Sequence, residues 1–314
     1  MIFSFAFGVS LFSWSALGAD QQLKPAPTVR RTISYDELEF KNYGEIILLD
    51  GLLLRSKVPA GLKEFIMSND RYWADRMLMI DILFMLTRLH DTFHRDQIYF
   101  GACEMFDRYV YANQDMLTSG DKNTMYTAAM ACFSLSAKLH DGISFDELLC
   151  FQDKLAQVFP FEMPKKQDLY RVEALILETL FYDLPVSSMP HAMINMVLRL
   201  QGFTSMTAEE FRRTSKMASF FLDNALMSPD FVGFEEVGLL AVASLQLALK
   251  ALFEYEDCLQ GHPMLIDKEL KIKAIANDLI RSVRRADLPP VCLQGYYQKY
   301  YFAEGDLDLM LKNI

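Results

Sequence analysis

Two His-Asp dipeptides, His90-Asp91 and His140-Asp141, stand out in a chain with only five histidines. Such a dipeptide can supply two metal ligands at once, and His90 and His94, at i and i+4, would share one face of a helix. That is the chemistry of metal-assisted hydrolysis. The surroundings argue against it. Asp91 stands where an HExxH helix needs its glutamate, and both dipeptides fall at predicted helix ends, where His and Asp cap or face solvent. The cysteines offer no alternative: Cys103, Cys132, Cys150, Cys258 and Cys292 are odd in number and widely spaced, with no CxxC among them. They read as buried reduced thiols of an intracellular protein, nuclear or cytoplasmic, rather than a zinc site or disulfide framework. No Gly-rich phosphate loop, GxSxG elbow or Cys/His nucleophile arrangement occurs. These residues point to no catalytic site, cofactor or metal.

The elements that would position a binding surface are helical. Hydrophobic residues make up 52% of the 314 positions and recur at helical rather than alternating spacing, enough for a sizeable all-α core. An amphipathic segment, Tyr35–Leu54, is followed by a loop carrying Pro59 and Gly61 and by the start signal Ser68-Asn69-Asp70. Five helices are then predicted at Arg71–His90, Asp96–Asn113, Asn123–His140, Phe145–Phe159 and Lys165–Tyr182, the last stopped by Asp183-Leu184-Pro185. About five more follow, at Met189–Leu200, Ala208–Met227, Phe234–Phe253, Asp267–Arg284 and Pro289–Tyr301. In each half one segment, Asn123–Lys138 or Val237–Lys250, is apolar on nearly every face and rich in small residues. A helix of that kind belongs at the centre with its neighbours packed around it. A five-helix unit with a central helix, made twice, is the architecture these patterns imply.

With 31 basic against 41 acidic residues the net charge is −10, so no overall field holds the protein to nucleic acid. The nearest basic face is Lys271, Lys273, Arg281, Arg284 and Arg285. Residues 1–19 carry no charge, and Ala16-Leu17-Gly18 would pass as a small-x-small cleavage site. They lack a basic leading region, and the chain contains no Asn-x-Ser/Thr sequon. A signal, an anchor and a dispensable extension all stay open, with membrane association only if the segment is retained as an anchor.

The first half then carries a set of short motifs in order: Arg76-Met77-Leu78-Met79-Ile80-Asp81, Phe106-Asp107-Arg108-Tyr109, Ser136-Ala137-Lys138, Lys165-Lys166-Gln167 leading into Leu169-Tyr170-Arg171-Val172-Glu173, and Leu177 through Pro185. These resemble the cyclin patterns MRAILVDW, IDRF, ASK, KKQVLRME and LxxLxFDLxxP. The resemblance covers roughly residues 35–300. It implies an all-α fold of two tandem five-helix cyclin repeats with an N-terminal helix. Residues 1–34 would be an apolar leader and polar linker, 35–70 the N-terminal helix and loop, 71–185 the first cyclin box, 186–303 the second and 304–314 a tail. It further implies a non-catalytic regulatory subunit that binds and activates a cyclin-dependent Ser/Thr protein kinase in cell-cycle or transcriptional control. Arg76 and Asp107 match the family's buried structural ion pair. Lys138 and Glu173 match the pair at the kinase-gripping surface, where the lysine reaches carbonyls near the kinase regulatory helix and the glutamate holds the lysine. Leu177, Tyr182 and Leu184 align with apolar contacts to the same kinase helix, Tyr182 replacing the usual phenylalanine.

The sequence also departs from the family. Asp75 and Ile82 replace the apolar residue and the tryptophan of the groove that docks RxL peptides, so RxL recruitment is not expected. Cyclin-type helical repeats also occur in the transcription factor IIB core and the retinoblastoma pocket, which bind DNA and peptides; a IIB-like role would need the basic face named above. A helical metal phosphohydrolase of the HD type would need the two His-Asp dipeptides. Metal analysis and salt-dependent DNA binding discriminate among these readings.

Overall fold

The structure, a computed structural model, describes residues 59, 61–90, 92, 94–116, 121–156, 159, 161–184, 190–200, 206–231, 236–253 and 268–284. Ten α-helices account for most of them: α1 Leu62–Met67, α2 Asp70–Leu89, α3 Arg95–Ala112, α4 Lys122–His140, α5 Phe145–Ala156, α6 Lys166–Thr179, α7 Pro190–Leu200, α8 Ala208–Leu226, α9 Val237–Phe253 and α10 Glu269–Arg284. A short 3-10 turn, Pro229–Phe231, follows α8, and no strand occurs among the described residues. The helices expected at 35–54 and 289–301, the leader, the tail and the junction at 185/186 lie outside the described residues.

Local chemistry sets the helix starts. Asn69 accepts the Tyr72 N–H at 2.9 Å, and Asp121 accepts the Asn123 N–H at 3.0 Å. Thr207 and Glu210 form a reciprocal capping box at the head of α8. One element was not expected: α1 occupies what reads as a loop. Gly61 makes the helix feasible, because its φ of 93° is left-handed and the Tyr111 hydroxyl lies 2.9 Å from where a Cβ would stand. Any other residue would be strained here and would press on the Tyr111 hydroxyl, so the residue that signalled a loop instead caps a helix.

The two small-residue helices lie at the centre, as their composition requires. In α4 every side chain from Met125 to Ala137 is buried except Thr127, and α4 lies against α2, α3 and α6. In α9 burial runs from Val237 to Leu249 with Gln246 alone half-exposed, and its neighbours are α7, α8 and α10. A continuous apolar cluster joins both sets. No helix among the described residues is long and apolar enough to cross a membrane.

A buried cation ties the halves together. Arg76 of α2 is 1% exposed and forks onto Asp107 of α3, Nε to Oδ1 at 2.7 Å and Nη2 to Oδ2 at 2.8 Å. Its Nη1 donates to the Leu226 carbonyl at the end of α8, 2.9 Å away. Tyr72 adds its hydroxyl to Asp107 Oδ1 at 3.1 Å. Burial works to neutralise Arg76, but the charge and hydrogen bonds of Asp107 outweigh it and hold the guanidinium above its ordinary range. The expected structural ion pair is therefore part of a three-helix joint.

Candidate functional site

Lys138 emerges near the end of α4, one residue past the buried run. Glu173 lies beneath it on α6 and is 7% exposed, whereas the Lys138 side chain is 38% exposed. Both carboxylate oxygens receive the ammonium, each at 2.7 Å. Helical spacing puts Tyr170, Glu173 and Leu177 on one face of α6, and the Lys138 ammonium stands 5.3 Å from the centre of the Tyr170 ring. Lys166 lies 5.8 Å from that ring, and Phe145 meets it edge-on at 6.3 Å. An ammonium has three donors and Glu173 offers two acceptors, so the clasp fixes the lysine while leaving it donor capacity toward solvent.

The end of α6 shapes the rest of the surface. The sequence predicts helix through Tyr182, but α6 stops at Thr179. The Phe181 N–H bonds the Glu178 carbonyl at 3.0 Å and the Tyr182 N–H bonds the Leu177 carbonyl at 2.8 Å. This is the Schellman arrangement, whose left-handed position usually carries glycine. Here Phe181 and Tyr182 both adopt it, with φ of 52° and 59°. Left-handed backbone costs about 1–2 kcal/mol per non-glycine residue. The next residue, Asp183, faces the Arg108 guanidinium at 3.6 Å, which holds the turn to α3. The strained pair presents two aromatic rings outward, Phe181 88% and Tyr182 70% exposed. Leu139, Leu175 and Tyr170 on α4 and α6 are exposed as well.

Of the residues expected at the kinase surface, Lys138 and Glu173 thus meet directly. Tyr182 stands at the surface, and Leu177 and Leu184 are half-buried against the core. Sequence reasoning missed Phe181 and Tyr170. Tyr170 was detectable from its spacing to Glu173. Phe181 was not, because nothing in an aromatic residue signals a left-handed turn.

The other candidates disperse. His90 caps α2 and its Nε2 lies 3.9 Å from Asp141 Oδ2; the same carboxylate oxygen takes the Thr92 hydroxyl. His94 and His140 stack with ring centres 6.0 Å apart. Burial lowers the His140 pKa and His94 lowers it further, against the pull of Asp141. Asp91 lies outside the described residues. The metal-capable groups that do converge among the described residues are Asp96, His191 and Asp223, ligand atoms within 4.8 Å of one another. On the basic face, Lys271 pairs with Glu236, Lys273 with Glu269 and Arg281 with Asp278, so each of these cations has a carboxylate beside it; Arg285 and the Arg284 side chain lie outside the described residues. Cys103 and Cys132 are buried and unbridged, and burial pushes both thiols up, which keeps them protonated. Cys150 is exposed and unbridged; Cys258 and Cys292 lie outside the described residues. Where an RxL groove would need apolar surface, Asp75 pairs with Lys122 at 3.2 Å and Ile82 is wholly buried.

No protein-family model matches the chain, and no curated protein matches it. Among solved structures, a viral cyclin from herpesvirus saimiri superposes with a TM-score of 0.51 over 85% of this chain and 99% of its own, at 16% identity. At that identity the likeness concerns the fold. The chain has an all-α, cyclin-like fold.

Proposed function

We propose that this chain is a cyclin: a non-catalytic subunit, built on two cyclin boxes in tandem, that binds and activates a cyclin-dependent Ser/Thr protein kinase. The observation that carries the reading is the Lys138–Glu173 clasp, a half-exposed ammonium anchored on a buried carboxylate beside the exposed Tyr170 ring, with Phe181 and Tyr182 exposed just past the end of the same helix. A cation fixed in place with donor capacity to spare, beside an exposed aromatic ring, suits a partner helix whose carbonyls need donors and whose apolar face needs cover. The first half would hold the kinase regulatory helix inward, completing the kinase Lys–Glu pair and favouring an ordered activation loop. Moving such a kinase from 1:99 to 99:1 active requires a preference of roughly 5.5 kcal/mol for the active form. An interface that delivers it is large, on the order of 2,000 Å² or more.

The test uses purified cyclin-dependent kinases, with binding measured by calorimetry and activity on a histone-type substrate. The full chain should bind and activate at least one. Lys138→Ala and Glu173→Ala should each weaken that binding by about 2–4 kcal/mol while helical content and cooperative melting persist. Unchanged binding in both variants, or no activation of any kinase, overturns the proposal.

A further inference from the structure

Helix α6 turns its buried side, with Leu169, Glu173 and Ile176, toward the core, and its main neighbours are α4 and α3. Away from that side Lys166, Tyr170, Ala174 and Glu178 are all exposed. Their four-residue spacing lines them up as one ridge, the kind of row that packs into the groove of another helix. The ridge has charged ends and an apolar middle, and its two charges stand about 18 Å apart along the axis. Lys166 is held in place: its ammonium lies 5.6 Å from the centre of the Phe145 ring and 5.8 Å from that of Tyr170. Among the described residues no carboxylate pairs with Lys166 and no cation pairs with Glu178. The two charges also run against the helix that carries them. A helix favours acids in its first turn and bases in its last. Here Lys166 opens α6, Arg171 stands 3.8 Å from Asp168, the acid of the first turn, and the last turn holds Glu178 and no base. Exchanging Lys166 and Glu178 would suit α6 better, so the isolated helix does not account for their order.

We propose that this ridge selects the partner helix and the direction in which it docks; the inference rests on the reading that the α4–α6 surface meets a kinase helix. The docked helix presents an acidic side chain to Lys166, apolar side chains to Tyr170 and Ala174, and a basic side chain to Glu178. The Lys138–Glu173 clasp offers its remaining donor capacity to backbone carbonyls, which every kinase chain possesses. It therefore holds a helix without telling one sequence from another. Two opposite charges about 18 Å apart add that discrimination. A helix laid the other way, or one with the opposite charge pattern, sets an acid against Glu178 and a base against Lys166, and like charges across an interface reject a wrong partner. The order that is unfavourable for α6 alone is thus the order that complements the partner.

The experiment takes the full chain and a cyclin-dependent kinase that it binds, with dissociation constants measured by calorimetry at low and at physiological salt. Lys166→Glu and Glu178→Lys should each weaken binding about tenfold at low salt, and the loss should shrink as salt rises. Each should leave the melting temperature of the isolated chain unchanged or raised, because the new charge agrees with the end of α6 on which it stands. The acidic residues of the kinase regulatory helix are then changed to lysine one at a time. One of these changes should restore the binding of Lys166→Glu and should not restore that of Glu178→Lys. Unchanged binding in both ridge variants, while Lys138→Ala still weakens it, overturns this inference and leaves the kinase reading standing. Failure of every kinase change to restore Lys166→Glu overturns it as well. So does weakened binding accompanied by a lowered melting temperature, since damage to α6 then accounts for the loss. A chain that binds no cyclin-dependent kinase overturns both proposals.

Discussion

Replacing Arg76 with methionine removes a group that ties α2 to both α3 and α8. The Arg76 guanidinium is 1% exposed, and two of its nitrogens satisfy both oxygens of Asp107. In Arg76→Met the carboxylate keeps only the Tyr72 hydroxyl, 3.1 Å from Oδ1. Stranding one member of a buried pair costs about 3–5 kcal/mol. The Leu226 carbonyl also loses its charged donor, which adds about 1 kcal/mol. The expected total, about 4–6 kcal/mol, compares with the 5–15 kcal/mol that typically separates folded from unfolded domains. Urea unfolding followed by circular dichroism and by tryptophan fluorescence measures it, since Trp73 lies 5.2 Å from the guanidinium and senses the joint. Asp107→Leu in the same chain should recover part of the loss, because the stranded charge is gone. Amide exchange should quicken in the last turn of α8 as well as in α2 and α3, since the Leu226 bond crosses between halves. An Arg76→Met variant within about 1 kcal/mol of the parent chain, or a double variant that loses the sum of the two single losses, would refute the reasoning.

Two further substitutions separate stability from binding. Phe181→Gly relieves a left-handed aromatic position at the cost of a freer unfolded chain, so the isolated protein should be unchanged or stabilised by up to about 1 kcal/mol in urea melts. The same change should weaken kinase association by about 1–2 kcal/mol. Burial pushes the pKa of Asp81 up to about 6 from an ordinary 3.8. Between those values the folded chain holds a proton that the unfolded chain has released, so this residue's contribution to stability falls as pH rises through the window. Asp81→Asn should match the parent chain near pH 4 and exceed it by roughly 2 kcal/mol at pH 7, and an equal effect at both values would disprove the assignment.

The core was legible in the sequence because packing a helix on all sides leaves a compositional record. Ala128, Ala129, Ala131 and Ala137 let α2, α3 and α6 approach α4, and every one of them is fully buried. The clasp was legible by a different route, through short motifs whose order resembles that of a known family, and its two partners meet although 35 positions separate them. What escaped was set by tertiary context. Gly61 and Pro59 spelled a loop, yet the space beside Tyr111 turned the glycine into a helix cap. The early end of α6 escaped because its reversal falls on Phe181 and Tyr182, where the sequence offers no glycine to mark a left-handed turn. The Asp96–His191–Asp223 cluster left no trace in spacing, since its members come from three helices that only the fold brings together.

The strained turn and the clasp argue in the same direction. A lysine–glutamate pair kept only for stability contributes about 0–1 kcal/mol when exposed, and when buried it often stabilises less than apolar residues of the same size. Neither value explains a buried carboxylate that holds an ammonium at the surface. Left-handed backbone at two successive aromatic residues is likewise a cost that their rings do not offset in the isolated chain, because both point into water. Such strain persists where surrounding structure enforces it and where the displayed groups serve a purpose. Enforcement is visible in the two hydrogen bonds that close the turn and in the pairing of Arg108 with Asp183. On the proposed function, both costs would be met by a partner that covers Phe181 and Tyr182 and takes the remaining donor capacity of Lys138. A partner that covered the rings but ignored the lysine would leave Lys138→Ala silent while Phe181→Gly still weakened binding, so the two variants together locate the centre of the interface.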